Sequence, residues 1–135
     1  MASAITGAGQ LHITVAELDA SITFYRDVLG LTHLFTVEGQ RMAFLQAGSL
    51  RLYLGESEDE RFRSRPVVYY DVDDVESAYA EITGRGAAGV SGPHVVHRDG
   101  GTELWMAFVS DPDGIPVGLM AERQESADVA PSAMP

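Results

Sequence analysis

The chain has 135 residues, of which 45% are hydrophobic and 21% are charged, and its formal net charge is −11. This length and composition predict one globular domain or two small fused modules, and the lack of cysteine excludes disulfides, thiolate catalysis and zinc–cysteine sites. All nine positively charged side chains are arginines, and so acidic a chain disfavours nucleic acid and anionic membranes as partners.

The N-terminal half begins with the segment MASAITGAGQLH, which lacks the basic region and the long apolar stretch of a signal peptide. Because no later apolar run is long enough to span a bilayer, we expect a cytoplasmic protein. Alternating residues 11–16 predict a strand. Asp19 is placed to cap a helix with apolar side chains at helical spacing, and Gly30 can end that helix. Three further strands are predicted near 32–38, 41–47 and 50–55.

The C-terminal half follows a charged segment, residues 56–65 (ESEDERFRSR), which predicts a linker. The strand VVYYDV leads to a second helix that Gly84 or Gly86 can end. Further strands are predicted near 94–98, 103–110 and 115–121. Residues 123–135 show no periodicity, and we expect them to form a disordered tail.

The two halves repeat the same order of elements. Val15–Ser21 (VAELDAS) matches Val72–Ala78 (VDDVESA), and Met42–Leu45 (MAFL) matches Met106–Val109 (MAFV). Each half therefore reads β-α-β-β-β, which indicates an internal duplication. We place module one at 8–55, the linker at 56–65 and module two at 66–122.

The segments LHITVAELDASITFYRDVLGL and ELWMAFVSDPDGIPVGLMAE resemble the two ends of a vicinal oxygen chelate (VOC) domain. That superfamily includes glyoxalase I, bleomycin-resistance proteins, fosfomycin-resistance enzymes and extradiol dioxygenases. The resemblance covers about residues 8–122. It implies an α+β fold in which two paired βαβββ modules form an open half-barrel cup, and it implies a homodimer. In the enzymatic relatives a divalent metal is held by His, Gln or Glu from the first and last strands of each module.

Strand alternation predicts which side chains of module two face this cup. In the last strand Gly118 and Met120 face the cup, because their neighbours are apolar core residues. The DPDG turn would pair Gly118 with Ala107 and Met120 with Trp105. Trp105 and Glu103 would then lie on the cup face as well.

The four positions that match the family's metal ligands predict a protein without a metal. Counting along the strands places these positions at Gln10, Arg51, Val67 and Gly118. Arginine is a permanent cation, and valine and glycine offer no donor atom, whereas a divalent cation needs several oxygen or nitrogen ligands. We therefore expect no metal and no other cofactor.

The remaining side chains predicted to face the cup indicate a small-molecule site. The rings of Tyr53, Tyr69 and Trp105, together with Met120, suit a flat and partly apolar ligand. Arg51 is a candidate anchor for an anionic group. His12 is a candidate general base, with Glu103 as a second catalytic group; an ordinary strand histidine is the alternative.

These residues leave three functions open. The first is a metal-independent VOC protein that binds an aromatic or anionic metabolite or drug, for sequestration or for acid–base chemistry. The second is a metal-dependent lyase, isomerase or dioxygenase, which would need His12 with Glu103 or Glu122, or a new site that uses His94 or His97. Strand parity predicts that His94 and His97 do not both face inward. The third is an interaction module with no small-molecule site.

Overall fold

The computed structural model describes residues 4–125, and these contain two four-stranded sheets. The elements of the first half are β1 (Gln10–Thr14), α1 (Leu18–Thr23), β2 (Thr32–Val37), β3 (Met42–Ala47) and β4 (Leu50–Gly55). Those of the second half are β5 (Tyr69–Asp71), α2 (Val75–Gly84), β6 (Ala88–Asp99), β7 (Thr102–Ser110) and β8 (Pro116–Gln124). This order confirms the predicted α+β class and the two βαβββ modules.

Both sheets have the same topology. The strand order is β1-β4-β3-β2 in one and β5-β8-β7-β6 in the other, and the first strand of each module runs parallel to the last. One face of each sheet carries the buried apolar side chains, and the helix of the same module packs against it. The central core residues of the sheets are Ile13, Leu45, Leu52, Leu54, Ala107, Val109, Val117 and Leu119.

The chain divides into two compact units, and the first takes in the chain up to Pro66 together with Asp111–Ile115. The predicted linker 56–65 therefore belongs to the first unit, where it forms a 3₁₀ turn at Glu60–Phe62. It also runs along β1, since Thr14 N donates to Ser64 O at 2.7 Å and Ser64 N donates to Thr14 Oγ1 at 2.8 Å.

The sequence predicted that Asp19 caps helix α1, but the structure shows no such cap. The helix begins at Leu18, and Leu18 N donates at 2.8 Å to Glu56 Oε2, a side chain that follows β4. A carboxylate distant in sequence thus satisfies the first free amide of the helix. The helix continues as a π-helical turn, Phe24–Val28, which buries the Tyr25 ring.

The DPDG turn is organised around the buried side chain of Asp111. Asp111 Oδ1 accepts hydrogen bonds from Asp113 N and Ile115 N, each at 2.9 Å. Its Oδ2 accepts one from Tyr25 Oη at 3.0 Å. The FYRDVLGL and DPDG segments therefore meet through one carboxylate in the first unit.

The register of the β7–β8 hairpin differs by one residue from the predicted one. The loop holds five residues, Asp111–Ile115, so that Gly118 pairs with Phe108 rather than Ala107 and Trp105 pairs with Ala121 rather than Met120. Two hydrogen bonds close this longer loop: Ile115 N donates to Asp111 Oδ1, and Asp111 N donates to Ile115 O, each at 2.9 Å. Because a shift of one residue exchanges the two faces of a strand, it changes which side chains of β7 share a face with Gly118.

Strands β6 and β8 are both longer than predicted. β6 starts at Ala88 and carries several bulges, and β8 extends to Gln124, where it pairs with Thr102. Arg123 and Gln124 are thus part of the sheet rather than of the predicted tail, whose residues 126–135 lie outside the described part of the chain. Within residues 4–125, no helix has the length and apolar character needed to cross a membrane.

Candidate functional site

Four rings form a row across the exposed face of the first sheet, one from each strand. They are cross-strand partners in register: His12 on β1, Tyr53 on β4, Phe44 on β3 and Phe35 on β2. The Phe35–Phe44 and Phe44–Tyr53 pairs are stacked, with centroids 4.7 and 5.2 Å apart, and the His12–Tyr53 pair is tilted, with centroids 4.3 Å apart. We call these four residues the ring row. The four rings thus contact one another in a continuous series across the sheet.

His12 contributes its ring to this row while both of its nitrogens are hydrogen-bonded. Nδ1 lies 3.2 Å from Tyr53 O, and because a carbonyl only accepts, Nδ1 is the donor. Nε2 lies 3.1 Å from Thr14 Oγ1, which accepts in turn from Ser64 N. The Thr14 hydroxyl can therefore donate to Nε2, so that the neutral imidazole is fully satisfied within its own unit.

Arginine side chains without an ion-pair partner lie near the ring row. Six of the nine arginines pair with a carboxylate: Arg26, Arg41, Arg61, Arg85, Arg98 and Arg123. Within residues 4–125 the other three, Arg51, Arg63 and Arg65, pair with none. The Arg51 guanidinium lies 5.6 Å from the centroid of the Phe44 ring. Two of these unpaired guanidinium groups, those of Arg51 and Arg63, therefore lie beside residues of the ring row.

An open groove of about 760 Å³ lies at the His12 end of the ring row. One of its walls is formed by Gln10, His12 and Tyr53, all three of which the sequence analysis singled out. The other wall is formed by residues of the predicted linker: Ser57, Arg61, Phe62, Arg63 and Ser64. The sequence analysis missed this second wall, because a charged and weakly apolar segment was read only as a connection.

The matching face of the second sheet carries a shorter set of rings. Tyr69 on β5 and Phe108 on β7 both have Gly118 on β8 as their cross-strand partner. Their rings meet edge to face with centroids 5.6 Å apart. Since Phe108 and Phe44 hold the same place in the repeated MAF segments, Gly118 corresponds to Tyr53, and not to Arg51 as the sequence analysis assumed.

Trp105 and Glu103 lie on the opposite face from the one predicted, because of the register shift. They share the buried face with Ala107 and Val109, and Glu103 is only 7% exposed. Glu103 accepts hydrogen bonds from Trp105 Nε1 and Arg98 Nε, each at 3.0 Å.

The environment of Glu103 keeps it ionised. The bond from Trp105, and then the bond from Arg98, hold the pKa of this carboxyl below its usual range. The guanidinium of Arg123 covers the Trp105 ring at 3.9 Å and ion-pairs with Glu76 at 3.3 Å. Glu103 and Trp105 thus contact each other and the arginines of their own module, on the face opposite Gly118.

The remaining predicted residues of module two are placed as follows. Met120 lies on the same face as Gly118, as expected, although its cross-strand partner is Met106. Val67 precedes β5 and is 43% exposed. A bulge between Val95 and His97 interrupts the alternation of β6. His94 pairs with Met106 and His97 pairs with Leu104, so that both histidines lie on the same face of the sheet. The prediction that His94 and His97 lie on opposite faces is therefore wrong, since it assumed a regular strand. Both side chains are exposed.

Comparison with known protein families shows which family the chain belongs to. The profile described as the Glyoxalase/Bleomycin resistance protein/Dioxygenase superfamily matches residues 7–119. The chain belongs to this superfamily. This VOC protein is also 29% identical over 111 residues to the Virulence protein STM3117 of Salmonella typhimurium. The match covers 77% of this chain and 76% of the relative.

Solved structures agree on the fold of this VOC protein. TnmS3, an antibiotic binding protein from Streptomyces sp. CB03234, has a TM-score of 0.67 at 22% identity, and the match covers 87% of this chain and 97% of TnmS3. A superfamily member from Sphaerobacter thermophilus has a TM-score of 0.69 at 21% identity, and the match covers 86% of this chain and 97% of that one. At such identities the likeness shows the fold alone.

The divalent metal that the superfamily implies does not fit the residues of this VOC protein. Gln10 has Arg51 as its cross-strand partner, so that the nearest facing side chain on β4 carries a positive charge. At Gly118 a donor side chain has no room, because an added Cβ would come within 2.6 Å of the Tyr69 ring. Among residues 4–125, no three His, Asp or Glu side chains cluster in a way that could hold a metal ion.

Phe35 and Phe44 are the residues of the ring row that the sequence analysis missed. Phe44 lies in a strand that was predicted correctly, and its pairing with Tyr53 could have been derived from the two-residue turn between Ala47 and Leu50. Phe35 could not have been assigned, because the register shift between His33 and Phe35 changes its face.

Proposed function

We propose that this VOC protein binds a planar aromatic small molecule on the ring row of its first module, without a metal. The observation that carries this proposal is the continuous contact of His12, Tyr53, Phe44 and Phe35 across all four strands. Strand rings are usually buried, whereas Phe35 is 45% exposed and the other three rings are half-buried. An exposed aromatic surface of this kind on a sheet is typical of a binding site.

Charge favours a ligand that is anionic as well as aromatic. Arg51 lies over Phe44 and has no ion-pair partner within the described residues, so that it is available to a ligand. A guanidinium beside a stack of rings attracts both the face of an aromatic system and an acidic substituent on it. TnmS3, a structural neighbour, is an antibiotic binding protein, which supports sequestration of a drug or metabolite as the form of this function.

The hydrogen bonds of His12 support binding rather than acid–base catalysis. A general base needs a free lone pair directed at the substrate, whereas Nε2 of His12 lies 3.1 Å from the Thr14 hydroxyl and Nδ1 donates to Tyr53 O. Glu103, the other proposed catalytic group, is engaged with Trp105 and Arg98. The alternative of a metal-dependent lyase, isomerase or dioxygenase needs several donor side chains in one place, and residues 4–125 bring no three His, Asp or Glu side chains together.

The proposal is tested by titrating the protein with a fluorescent planar probe, 9-anthracenemethanol. We expect saturable binding by the wild type and an affinity at least about fivefold lower for Tyr53→Leu, because leucine keeps the apolar volume but loses the ring stacking. Arg26→Gln serves as the control, since Arg26 is exposed in the same module and pairs with Asp27. Equal affinity of Tyr53→Leu and the wild type would contradict binding on the ring row.

A homodimer and a cytoplasmic location stay predictions for this protein. Light scattering after size-exclusion chromatography tests the first: a mass of one chain at micromolar concentration contradicts it. Cell fractionation tests the second.

A further inference from the structure

The segment between the modules forms a built wall of the groove rather than a free linker. Asp59 accepts a hydrogen bond from Arg61 N at 3.0 Å and so caps the 3₁₀ turn. Ser64 is held on β1 by its two bonds to Thr14. Phe62 and Arg63 lie between these two attachments. Their position relative to His12 and Tyr53 is therefore set by the fold.

Arg63 is the arginine best placed to bind an acidic group in the groove. Its Nε donates to Ser57 O at 3.4 Å, which orients the guanidinium and leaves the two terminal nitrogens without a partner among residues 4–125. Two parallel terminal N–H groups match the two oxygens of a carboxylate. Arg61 also lines the groove, but it is paired with Asp59, whereas Arg51 has no such partner but does not line the groove.

Phe62 is an apolar side chain with no evident structural role. It is 65% exposed, and the guanidinium of Arg61 lies 5.9 Å from the centroid of its ring. A phenylalanine in a charged segment at the rim of a groove offers an apolar surface that a bound aromatic molecule would cover.

From these observations we propose that the groove binds a planar aromatic carboxylate, with Arg63 holding the carboxylate and Phe62 contacting the ring system. The inference rests on the proposed function, because the ring row supplies the opposite wall through His12 and Tyr53. Beyond that function, the inference specifies that the ligand carries a carboxylate and that Arg63 and Phe62 select the ligand.

The experiment compares two probes that share a ring system, anthracene-9-carboxylate and 9-anthracenemethanol. We expect the wild type to bind the acid more tightly than the alcohol. Arg63→Gln should lower the affinity for the acid about tenfold and leave the affinity for the alcohol unchanged, since a bond to a charged group is lost. Phe62→Ala should lower both affinities about two- to tenfold, because it removes a ring contact. Arg65→Gln is the matched control and should change neither affinity, because Arg65 belongs to the same unit, has no ion-pair partner within residues 4–125 and does not line the groove. Arg51→Gln tests the other unpaired arginine beside the ring row.

The outcomes separate this inference from the proposed function. Equal binding of both probes by the wild type, or an acid preference that survives Arg63→Gln, overturns the role of Arg63 while ligand binding on the ring row stands. If Arg51→Gln loses the preference for the acid, Arg51 rather than Arg63 binds the carboxylate, and the role of Arg63 is overturned. Unchanged binding by Phe62→Ala overturns the role of Phe62. Binding of neither probe by the wild type overturns the proposed function together with this inference.

Discussion

The ring of Tyr69 lies over Gly118 so closely that a Cβ added to the glycine would come within 2.6 Å of Tyr69 Cδ2. Gly118 is the cross-strand partner of both Tyr69 and Phe108, whose rings meet edge to face. A glycine in the interior of a strand usually weakens the strand. Here its missing side chain makes room for a ring contact that spans three strands.

Replacing this glycine should stabilise the protein less in the wild type than in a variant that lacks the Tyr69 ring. Gly118→Ala displaces Tyr69 from Phe108 and forfeits a contact worth about 0.5–1.5 kcal/mol. It also gains about 0.4–1 kcal/mol, because alanine restricts the unfolded chain. In a Tyr69→Ala background only the gain remains, so we expect Gly118→Ala to raise the free energy of unfolding there and to lower or barely change it in the wild type. Urea unfolding of the four proteins measures this, and equal shifts in both backgrounds would contradict it.

The hydrogen bond from Tyr25 to Asp111 should stabilise the first unit. Tyr25→Phe removes a donor from a buried carboxylate, and we expect the free energy of unfolding to fall by about 1–3 kcal/mol. Tyr69→Phe is the control, because its ring is 46% exposed. Thermal unfolding of both variants checks the prediction, which fails if Tyr25→Phe melts with the wild type.

The stabilising effect of Glu103 should depend on pH. Its pKa is held below the ordinary value of 4.5, first by the bond from Trp105 and then by the bond from Arg98. A lowered pKa in the folded state means that the ionised group stabilises the protein above that value and stops doing so as the pH falls through the folded pKa. We therefore expect Glu103→Gln to lower the melting temperature at pH 7, and the difference from the wild type to narrow steadily below pH 4.5. A difference that stays constant down to pH 3 would show that the carboxylate charge is not what stabilises the module.

Added metal should not stabilise the protein. Because Arg51 faces Gln10 and the Tyr69 ring fills the space at Gly118, we expect Ni²⁺, Zn²⁺, Mn²⁺ and EDTA each to leave the melting temperature unchanged. The double variant Gln10→His, Arg51→Glu, which places an imidazole opposite a carboxylate, is the positive control and should be stabilised by Ni²⁺. One tightly bound metal per wild-type chain in elemental analysis would overturn the prediction.

The alternation of apolar residues within a single strand predicted correctly which of its side chains are buried. Val117 and Leu119, the apolar neighbours of Gly118, were assigned to the core from alternation alone, and both are buried. Alternation failed for Trp105, because its face depends on how many residues the following loop holds. It failed again at His97, where a bulge inserts a residue that no periodicity indicates.

The sequence by itself determined the fold class, the duplication and the superfamily, because these follow from local periodicity and from two recognisable segments. It also predicted a protein without a metal, and this stays a prediction. The tertiary structure decided which rings share a face, because the register of a strand depends on the length of its loop and on bulges, which alternation does not indicate. The five-residue loop that Asp111 and Ile115 close is one example, and the shift between His33 and Phe35 is another. The tertiary structure likewise decided that residues 57–64 form a wall of the groove, since only the pairing of Ser64 with Thr14 brings this charged segment beside β1.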